Sequence, residues 1–185
     1  MKPTEELKEE HDAIKRMLRI LERMADRLDA REDVRIEDIR EAIGFIQGFA
    51  DRCHHAKEED LLFPAMEAAG VPRQTGPIAV MLAEHEQGRA HVRAMIKALD
   101  EHVAGVSDAA QRLADNARAY TALLRQHIDK EDGILYVIAD ARLSPRQQEE
   151  LEKGFARVER EVIGAGQHET YHALLDRLSA AYLTG

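Results

Sequence analysis

Histidine and glutamate residues occur in this sequence as two copies of one pattern. Each copy is a single histidine followed, 42 or 43 residues later, by a His-x-x-x-Glu motif. The six residues are His11, His54, Glu58, His85, His127 and Glu131. Imidazole and carboxylate ligands together suit iron, manganese or zinc, and two carboxylates can bridge a pair of ions. Since the pattern contains no thiolate, it favours neither a structural zinc site nor an iron–sulfur cluster.

All six residues fall on the apolar stripes of predicted helices, so their side chains are expected in a protein core. A single core histidine is usually a hydrogen-bonded packing residue. Burying four imidazoles and two carboxylates without partners would cost several kcal/mol per group, in a domain whose net stability is about 5–15 kcal/mol. A metal centre would satisfy the whole set, and we therefore predict one.

The elements that must position these residues are long amphipathic helices. Apolar residues recur at three- and four-residue spacings in four segments, and no segment alternates with a period of two. We predict helix 1 at residues 5–30 with Thr4 as its N-cap, helix 2 ending in the sixties, and helix 4 capped by Ser107. Short connections force antiparallel neighbours, which predicts an all-α, up-down-up-down four-helix bundle over residues 1–141.

Residues 142–185 form a further predicted unit of two helices. Ser144-Pro145-Arg146-Gln147 has the order of a capping box, and Gly164-Ala165-Gly166 ends the helix that it begins. A sixth helix follows. Each of these helices has an apolar face, so we expect the extension to pack on the bundle.

Helix length predicts that the four histidines share one layer. About 19 residues separate His11 from the end of helix 1, and about 18 separate the start of helix 2 from His54, or roughly 27 Å on both helices at 1.5 Å per residue. The same count holds for His85 and His127. The chain is therefore expected to behave as two helical hairpins related by an approximate dyad.

Composition excludes several classes of function. The 185 residues include 35 acidic and 26 basic side chains, which give a formal charge of −9 and no basic run suited to nucleic acid. No segment has the length of a membrane span or the apolar core of a signal peptide, so we expect a cytoplasmic protein with no membrane partner. Cys53 is the single cysteine and is expected to be a small buried hydrophobe.

Residues 5–141 resemble the hemerythrin-like family, also called the HHE cation-binding domain. The resemblance rests on the two copies of the pattern and on Glu58-Glu59-Asp60-Leu61-Leu62-Phe63-Pro64, which is similar to the run after the family's first His-x-x-x-Glu. Membership implies a non-haem site of two iron ions. Its two carboxylates bridge the metals, and its open position takes O2, NO or peroxide.

The sequence departs from the oxygen-carrying members, which have two histidines on the third helix. Arg89 follows one turn after His85, so the site lacks one imidazole unless His55 supplies it. His55 is read either as that ligand or as a flanking residue paired with Glu59, and the ligand reading is preferred by resemblance to related domains. The expected ligands are then the histidines His11, His54, His55, His85 and His127, and the bridging residues Glu58 and Glu131. Tyr120 is expected to pack beneath the site.

Three functional classes remain open for such a site. It would bind or sense oxygen reversibly, turn over peroxide or nitric oxide, or store and deliver iron. A fourth interpretation comes from His168-Glu169-Thr170-Tyr171-His172, which spells the H-E-x-x-H signature of zinc metallopeptidases. We regard that match as a coincidence, because the residues that follow contain no third ligand. His91, His102, His168 and His172 are assigned to surface or packing roles.

Overall fold

Long helices without any strand make up the residues that the computed structural model describes, which are 1–164 and 166–184, excluding the side chains of residues 162, 163 and 168. Helix α1 spans Pro3–Asp29, and α3 spans Gly76–Val103. Helix α2 runs continuously through Ile36–Phe45, Ile46–His55, Glu58–Leu62 and Phe63–Ala68. Helix α4 comprises Ala109–Lys130, Glu131–Leu135 and Tyr136–Arg142. Helix α5 comprises Pro145–Val158 and Glu159–Ile163, and α6 spans Gln167–Tyr182. The all-α bundle is thus confirmed, and none of these helices is long and apolar enough to cross a bilayer.

Two helix starts differ from the sequence prediction. Lys2 rather than Thr4 precedes α1, because a proline occupies the first helical position, where its missing N–H is not needed. The Thr4 hydroxyl instead donates a hydrogen bond to Asp140 Oδ1 at 2.7 Å, which ties α1 to the end of α4. Asp108 rather than Ser107 precedes α4. The error is one or two residues in each case and does not change the face that either helix buries.

The bundle core consists of two apolar clusters with a polar layer between them. The larger cluster contains Ile14, Phe49, Met95 and Leu124 among its residues and fills the end of the bundle nearer to the α1–α2 connection. The smaller cluster is built around residues such as Phe63, and it fills the other end. A polar layer enclosed in this way is kept from bulk water on both sides along the bundle axis.

The two helices after the bundle contribute to both apolar clusters. Ser144 and Gln147 form the predicted capping box at the start of α5, with the Ser144 Oγ accepting from the Gln147 amide. Phe155 of α5 is fully buried in the smaller cluster, and Leu178 of α6 is fully buried in the larger one. The extension therefore lies against the bundle, and its apolar faces supply part of the core.

A glycine on α2 makes room for α6. A Cβ atom on Gly48 would stand only 1.9 Å from the hydroxyl oxygen of Tyr171. The Tyr171 ring packs edge-on against Phe45 and Phe49, with ring centroids 5.5 and 5.7 Å apart. This close approach requires a residue without a side chain at position 48, so Gly48 is one determinant of how α6 docks.

Candidate metal centre

All seven side chains predicted to bind metal lie together in the polar layer between the apolar clusters. The structure groups them as His55, Glu58, His85 and His127, and as His11, His54 and Glu131. Within each group, one potential ligand atom from every residue lies within 4.8 Å of those of the others. No member is more than 5% exposed. The predicted convergence in one layer is therefore observed, while their role as ligands stays a prediction.

The histidines meet in two pairs with matching geometry. The Nε2 atoms of His11 and His54 are 3.0 Å apart, and so are the Nε2 atoms of His85 and His127. Two nitrogens that bind one ion at about 2.1 Å, at right angles to each other, are about 3.0 Å apart. Each pair thus has the spacing of two ligands of one metal ion.

Glu131 spans the two histidine pairs. Its Oε2 atom lies 3.1 Å from His11 Nε2, and its Oε1 atom lies 2.9 Å from His127 Nε2. One carboxylate oxygen therefore faces each pair, which is the arrangement expected of a bridging ligand. Burial favours the neutral carboxyl, but His127 and then His11 outweigh it and hold the pKa of Glu131 well below its usual range.

Glu58 is oriented differently from Glu131. Its Oε2 atom faces one histidine of each pair, at 3.4 Å from His85 Nε2 and 3.8 Å from His54 Nε2. Its Oε1 atom instead accepts a hydrogen bond of 2.7 Å from the Tyr136 hydroxyl. Only one oxygen of Glu58 is directed to the centre of the layer.

Buried oxygens without hydrogen-bond partners mark the middle of this layer. Glu58 Oε2 and both carboxylate oxygens of Glu131 have none among the described residues. Unpaired buried carboxylate oxygens are costly, and cations or protons from the neighbouring imidazoles are what would compensate them. The donor set of imidazole nitrogens and carboxylate oxygens, with its orphaned oxygens and paired nitrogens, fits a two-metal site.

Each of the histidines in the layer also has a carboxylate on its outer side. The Nδ1–H groups donate in five pairs: His11 to Asp132 at 2.8 Å, His54 to Glu10 at 2.7 Å, His55 to Asp51 at 3.3 Å, His85 to Glu59 at 2.7 Å and His127 to Glu84 at 2.9 Å. A neutral imidazole that donates from Nδ1 presents a lone pair at Nε2. The carboxylates therefore fix the tautomer in which Nε2 can bind a metal ion.

In the absence of a metal, these paired nitrogens favour protons. Burial disfavours the charged form of His11, but Asp132 and Glu131 outweigh it and raise its pKa to about 9. Burial also disfavours the charged form of His85. Its contacts with Glu131, Glu58 and Glu59 outweigh burial and hold the pKa of His85 well above its usual value. A proton shared between two facing Nε2 atoms supplies part of the positive charge that a metal ion would supply there.

A second layer of basic residues holds the outer carboxylates. Lys15 pairs with Asp132 at 3.1 Å, Lys57 pairs with Glu10, Lys130 pairs with Glu84, and Arg89 pairs with both Asp51 and Glu59. These groups obey the internal repeat, because Glu10 and Glu84 each precede a histidine, Glu59 and Asp132 each follow a glutamate, and Lys57 and Lys130 occupy the same place in each motif. This network was not predicted from the sequence, although the internal repeat is the signal that reveals it.

His55 breaks the repeat, since the matching residue after His127 is Ile128. Its ring stacks on His85 with centroids 3.9 Å apart, and its Nδ1 faces Asp51 rather than Glu59, so the expected alternative pairing is wrong. Glu59 is instead the partner of His85. Burial, and then the charge on His85, lowers the pKa of His55 well below its usual value, so the ring is neutral.

Tyr136 also breaks the repeat and was missed in the sequence. It lies five residues after Glu131, and the matching residue after Glu58 is Phe63. The Tyr136 ring stacks on His11 with centroids 5.5 Å apart, and its hydroxyl oxygen is 3.4 Å from His11 Nε2. Burial, followed by the charges of Glu131 and Glu58, raises the pKa of Tyr136 well above its usual value, so the hydroxyl remains a donor.

Wide helical turns explain how these residues share a face. Glu58 and Glu131 each begin a π-helical segment, Glu58–Leu62 and Glu131–Leu135. In a π-helix the hydrogen bonds join residues five apart, which aligns a residue with the one five positions later. The turn therefore brings Tyr136 over Glu131, where an α-helix would have placed it about 140° away.

Cys53 lies beside a partly buried ion cluster on the outer side of His54, which Glu10 connects to the histidine layer. Cys53, Glu10 and Glu159 form a group with metal-ligand spacing, but Lys57 Nζ is 2.5 Å from Glu10 Oε1 and 2.6 Å from Glu159 Oε1. An ammonium group thus provides the positive charge there. Burial and the charge of Glu10 raise the pKa of the Cys53 thiol, which fits the expectation of an unreactive, buried side chain.

The H-E-x-x-H motif at residues 168–172 lies on α6, at the surface. Glu169 and His172 are exposed, and neither belongs to a group with metal-ligand spacing among the described side chains. The side chain of His168 lies outside the described residues. His91 and His102 are half-buried and lie outside the polar layer.

The fold and the donor set define a helical-bundle protein with a cation-binding layer. Comparison with known families agrees, since the hemerythrin HHE cation binding domain matches residues 2–139, and the chain belongs to this family. Uncharacterized proteins of Mycobacterium tuberculosis and Mycobacterium bovis are each 28% identical to it over 132 residues, which cover 71% of this chain and 51% of theirs. The chain thus spans about half the length of these curated relatives. No solved structure matches it significantly.

Proposed function

We propose that this protein holds two iron ions in the polar layer and binds, or reacts with, O2, NO or peroxide there. The observation that carries the proposal is the pairing of histidine Nε2 atoms at 3.0 Å on both sides of Glu131. His11 and His54 would hold one ion, and His85, His127 and His55 the other. Glu131 would bridge them, and Glu58 would contribute Oε2. Once bound, the iron pair would supply a Lewis-acidic and redox-active centre.

The chain's own side chains would prepare the site for that role. The outer carboxylates hold each imidazole with a proton on Nδ1, so that Nε2 faces the centre of the layer and is the nitrogen that would bind metal once it has lost any proton of its own. Apolar residues above and below the layer exclude water, which strengthens every electrostatic interaction within it. The Tyr136 hydroxyl is the one neutral donor beside the centre among these described groups, and it is held by Glu58.

Ligand burial favours retention of metal over its exchange. The seven side chains are 0–5% exposed, and their outer partners are anchored by basic residues. A storage or delivery protein must release its ion, which here would require several buried pairs to open together. We therefore rank iron storage below ligand binding, and we do not propose a zinc peptidase.

Metal analysis and optical spectra test this proposal. Protein isolated from iron-replete cells should contain close to two iron ions per chain, with absorption bands that change with air, azide and hydrogen peroxide. One metal ion per chain, or a pair of zinc ions that iron does not replace, would contradict it.

Two single variants test the assignment of neighbouring histidines. His54→Ala should abolish or greatly weaken binding of the metal pair, because it removes an inner nitrogen of one histidine pair. His55→Ala should retain most of the iron but change the spectrum of the azide complex, because it opens a position beside His85. A His55→Ala protein identical to the parent in both measurements would remove His55 from the site.

A further inference from the structure

A cavity of about 160 Å³ opens beside the polar layer, on the side of His55. Its inner end is formed by His55 and His85, and its walls include Val92 and Gly88 of α3. At roughly 30 Å³ per water molecule, this volume has room for about five waters. It therefore admits a ligand of a few non-hydrogen atoms.

A buried tyrosine that lines this cavity has a hydroxyl group without a hydrogen-bond partner among the described residues. Tyr120 is 2% exposed and is one of the wall residues. Among the described residues its hydroxyl makes no hydrogen bond, and burial followed by the charge of Asp51 raises its pKa, so it remains protonated. The other buried tyrosines, Tyr136 and Tyr182, both donate to carboxylates. A buried tyrosine normally finds a partner, so a donor that faces a cavity points to a ligand.

The walls of the cavity also carry N–H donors, from Arg89 and Arg93. The charges of both arginines are compensated, because Arg89 pairs with Asp51 and Glu59, and Glu86 lies 3.6 Å from each arginine. Arg89 Nη1 is beyond hydrogen-bond distance of Glu86 Oε2, so its N–H groups can still donate to a ligand.

We propose that this cavity is a binding site for a small ligand that accepts hydrogen bonds, held by the Tyr120 hydroxyl and Arg89 on its way to the metal layer. The route enters between α2 and α3 and ends at His55, a residue that has no counterpart in the other half of the repeat. The chemistry fits acceptors of two to four non-hydrogen atoms, such as azide, nitrite or hydrogen peroxide. The role as an approach to metal rests on the proposed function, but the binding of the ligand in the cavity does not.

Azide binding to metal-free protein tests the site directly. Azide should shift the backbone amide NMR signals of Gly88 and Tyr120, and the infrared stretch of bound azide should report its hydrogen bonds. Tyr120→Phe removes one hydrogen bond, and its net value of about 0.5–1.5 kcal/mol predicts an affinity about 2- to 13-fold weaker. Amide signals around the cavity that do not respond to azide, or an affinity unchanged in Tyr120→Phe, would overturn the proposal.

Occluding variants test the route in metal-loaded protein. Val92→Phe should fill the cavity and slow azide binding, followed by absorption, by more than about tenfold. Val80→Phe is the matched control, because Val80 is 44% exposed on the same helix, and it should bind azide at the parent rate. Gly88→Ala is a milder second variant, since its Cβ would meet Tyr120 and Leu124 side chains at an ordinary 3.5 Å. Parent-like rates in both Val92→Phe and Gly88→Ala would refute the route.

The two proposals fail in different ways. Azide bound in the cavity of a protein that holds no metal pair would uphold the ligand site in the cavity and refute the proposed function. A metal pair whose azide binding ignores all cavity variants would uphold the proposed function and refute the route.

Discussion

The hydrogen bond from Tyr136 to Glu58 can be removed without changing the shape of the core. Tyr136→Phe deletes one hydroxyl that is fully buried and 2.7 Å from Glu58 Oε1. Phe63, at the matching position of the other hairpin, already packs on His85 with ring centroids 6.1 Å apart. A phenylalanine ring is thus compatible with this type of position, and the substitution tests the hydroxyl alone.

The expected loss follows from the state of the Glu58 carboxylate. Its Oε2 atom has no hydrogen-bond partner among the described residues, so the Tyr136 bond is the one hydrogen bond this buried group accepts there. A hydrogen bond to a charged group contributes about 1.5–3 kcal/mol. Metal-free Tyr136→Phe should therefore lose about that much free energy of unfolding, which corresponds to a melting temperature lower by about 3–12 °C in a chain of this size.

Urea unfolding of the metal-free protein, followed by circular dichroism, measures this loss. A double-mutant cycle with Glu58→Gln isolates the pair, and a coupling free energy of at least 1 kcal/mol is expected. Phe63→Tyr is the reciprocal control: it adds a hydroxyl in the other half, and an unpaired buried hydroxyl there should destabilise by about 1–3 kcal/mol. A coupling below about 0.5 kcal/mol would show that Tyr136 does not hold Glu58.

Three further predictions concern the ion cluster, the extension and the metal. Lys57→Met should destabilise the protein by about 3–5 kcal/mol, because it removes the fully buried ammonium group that pairs with the buried Glu10 carboxylate. Lys130→Met should cost less, since Lys130 is 35% exposed, and equal losses in urea unfolding would contradict this. Arg177 and Tyr182 of α6 donate hydrogen bonds to Asp38 of α2. Burial acts to raise the pKa of Asp38, but these bonds outweigh burial and lower that pKa. Their stabilising effect should therefore be complete above pH 3.8 and lost as pH falls below it. Asp38→Asn should remove that part of the acid dependence in thermal melts, and a parent-like acid profile in the variant would refute it. Chelation of bound metal should lower the melting temperature, because Glu131 and Glu58 Oε2 lose their compensating charge, and equal melting temperatures after verified removal would argue against a buried site.

The bundle and the shared layer were predictable because both depend on regular spacing along the chain. Apolar periodicity fixed the helix faces, and equal distances from His11 and His54 to their connection fixed a common height. Neither the helix faces nor the common height depends on which side chains contact each other across the bundle. The errors at Thr4 and Ser107 concern only the first turn of a helix, where a neighbouring proline or aspartate competes for the same role.

The outer network was harder to predict because each contact joins two helices. Glu10 lies next to His11 in sequence, yet it bonds His54, 44 residues away, because it projects from a different side of α1. His55 was paired with the wrong carboxylate because helical spacing makes both Glu59, at i+4, and Asp51, at i−4, its neighbours. The choice between them depends on contacts with α3, where His85 and Arg89 bind Glu59. Tyr136 was not predicted because α-helical spacing places it about 140° around the helix from Glu131.

The departures from the internal repeat account for what the two halves of the layer do differently. The repeat duplicates the inner histidines, the outer carboxylates and their basic partners, so these parts alone would make two equivalent metal positions. His55 stands where the other half has Ile128, and the cavity lined by Tyr120 and Arg89 opens on that same side. Tyr136 stands where the other half has Phe63, and its hydroxyl lies beside His11. In the proposed site, one metal position thus gains a third imidazole and an entrance, while the other gains a hydroxyl group that is hydrogen-bonded to Glu58. A symmetric pair would give a ligand no preferred orientation, whereas these two differences give the ligand an entrance beside His55 and place the Tyr136 hydroxyl beside the opposite metal position.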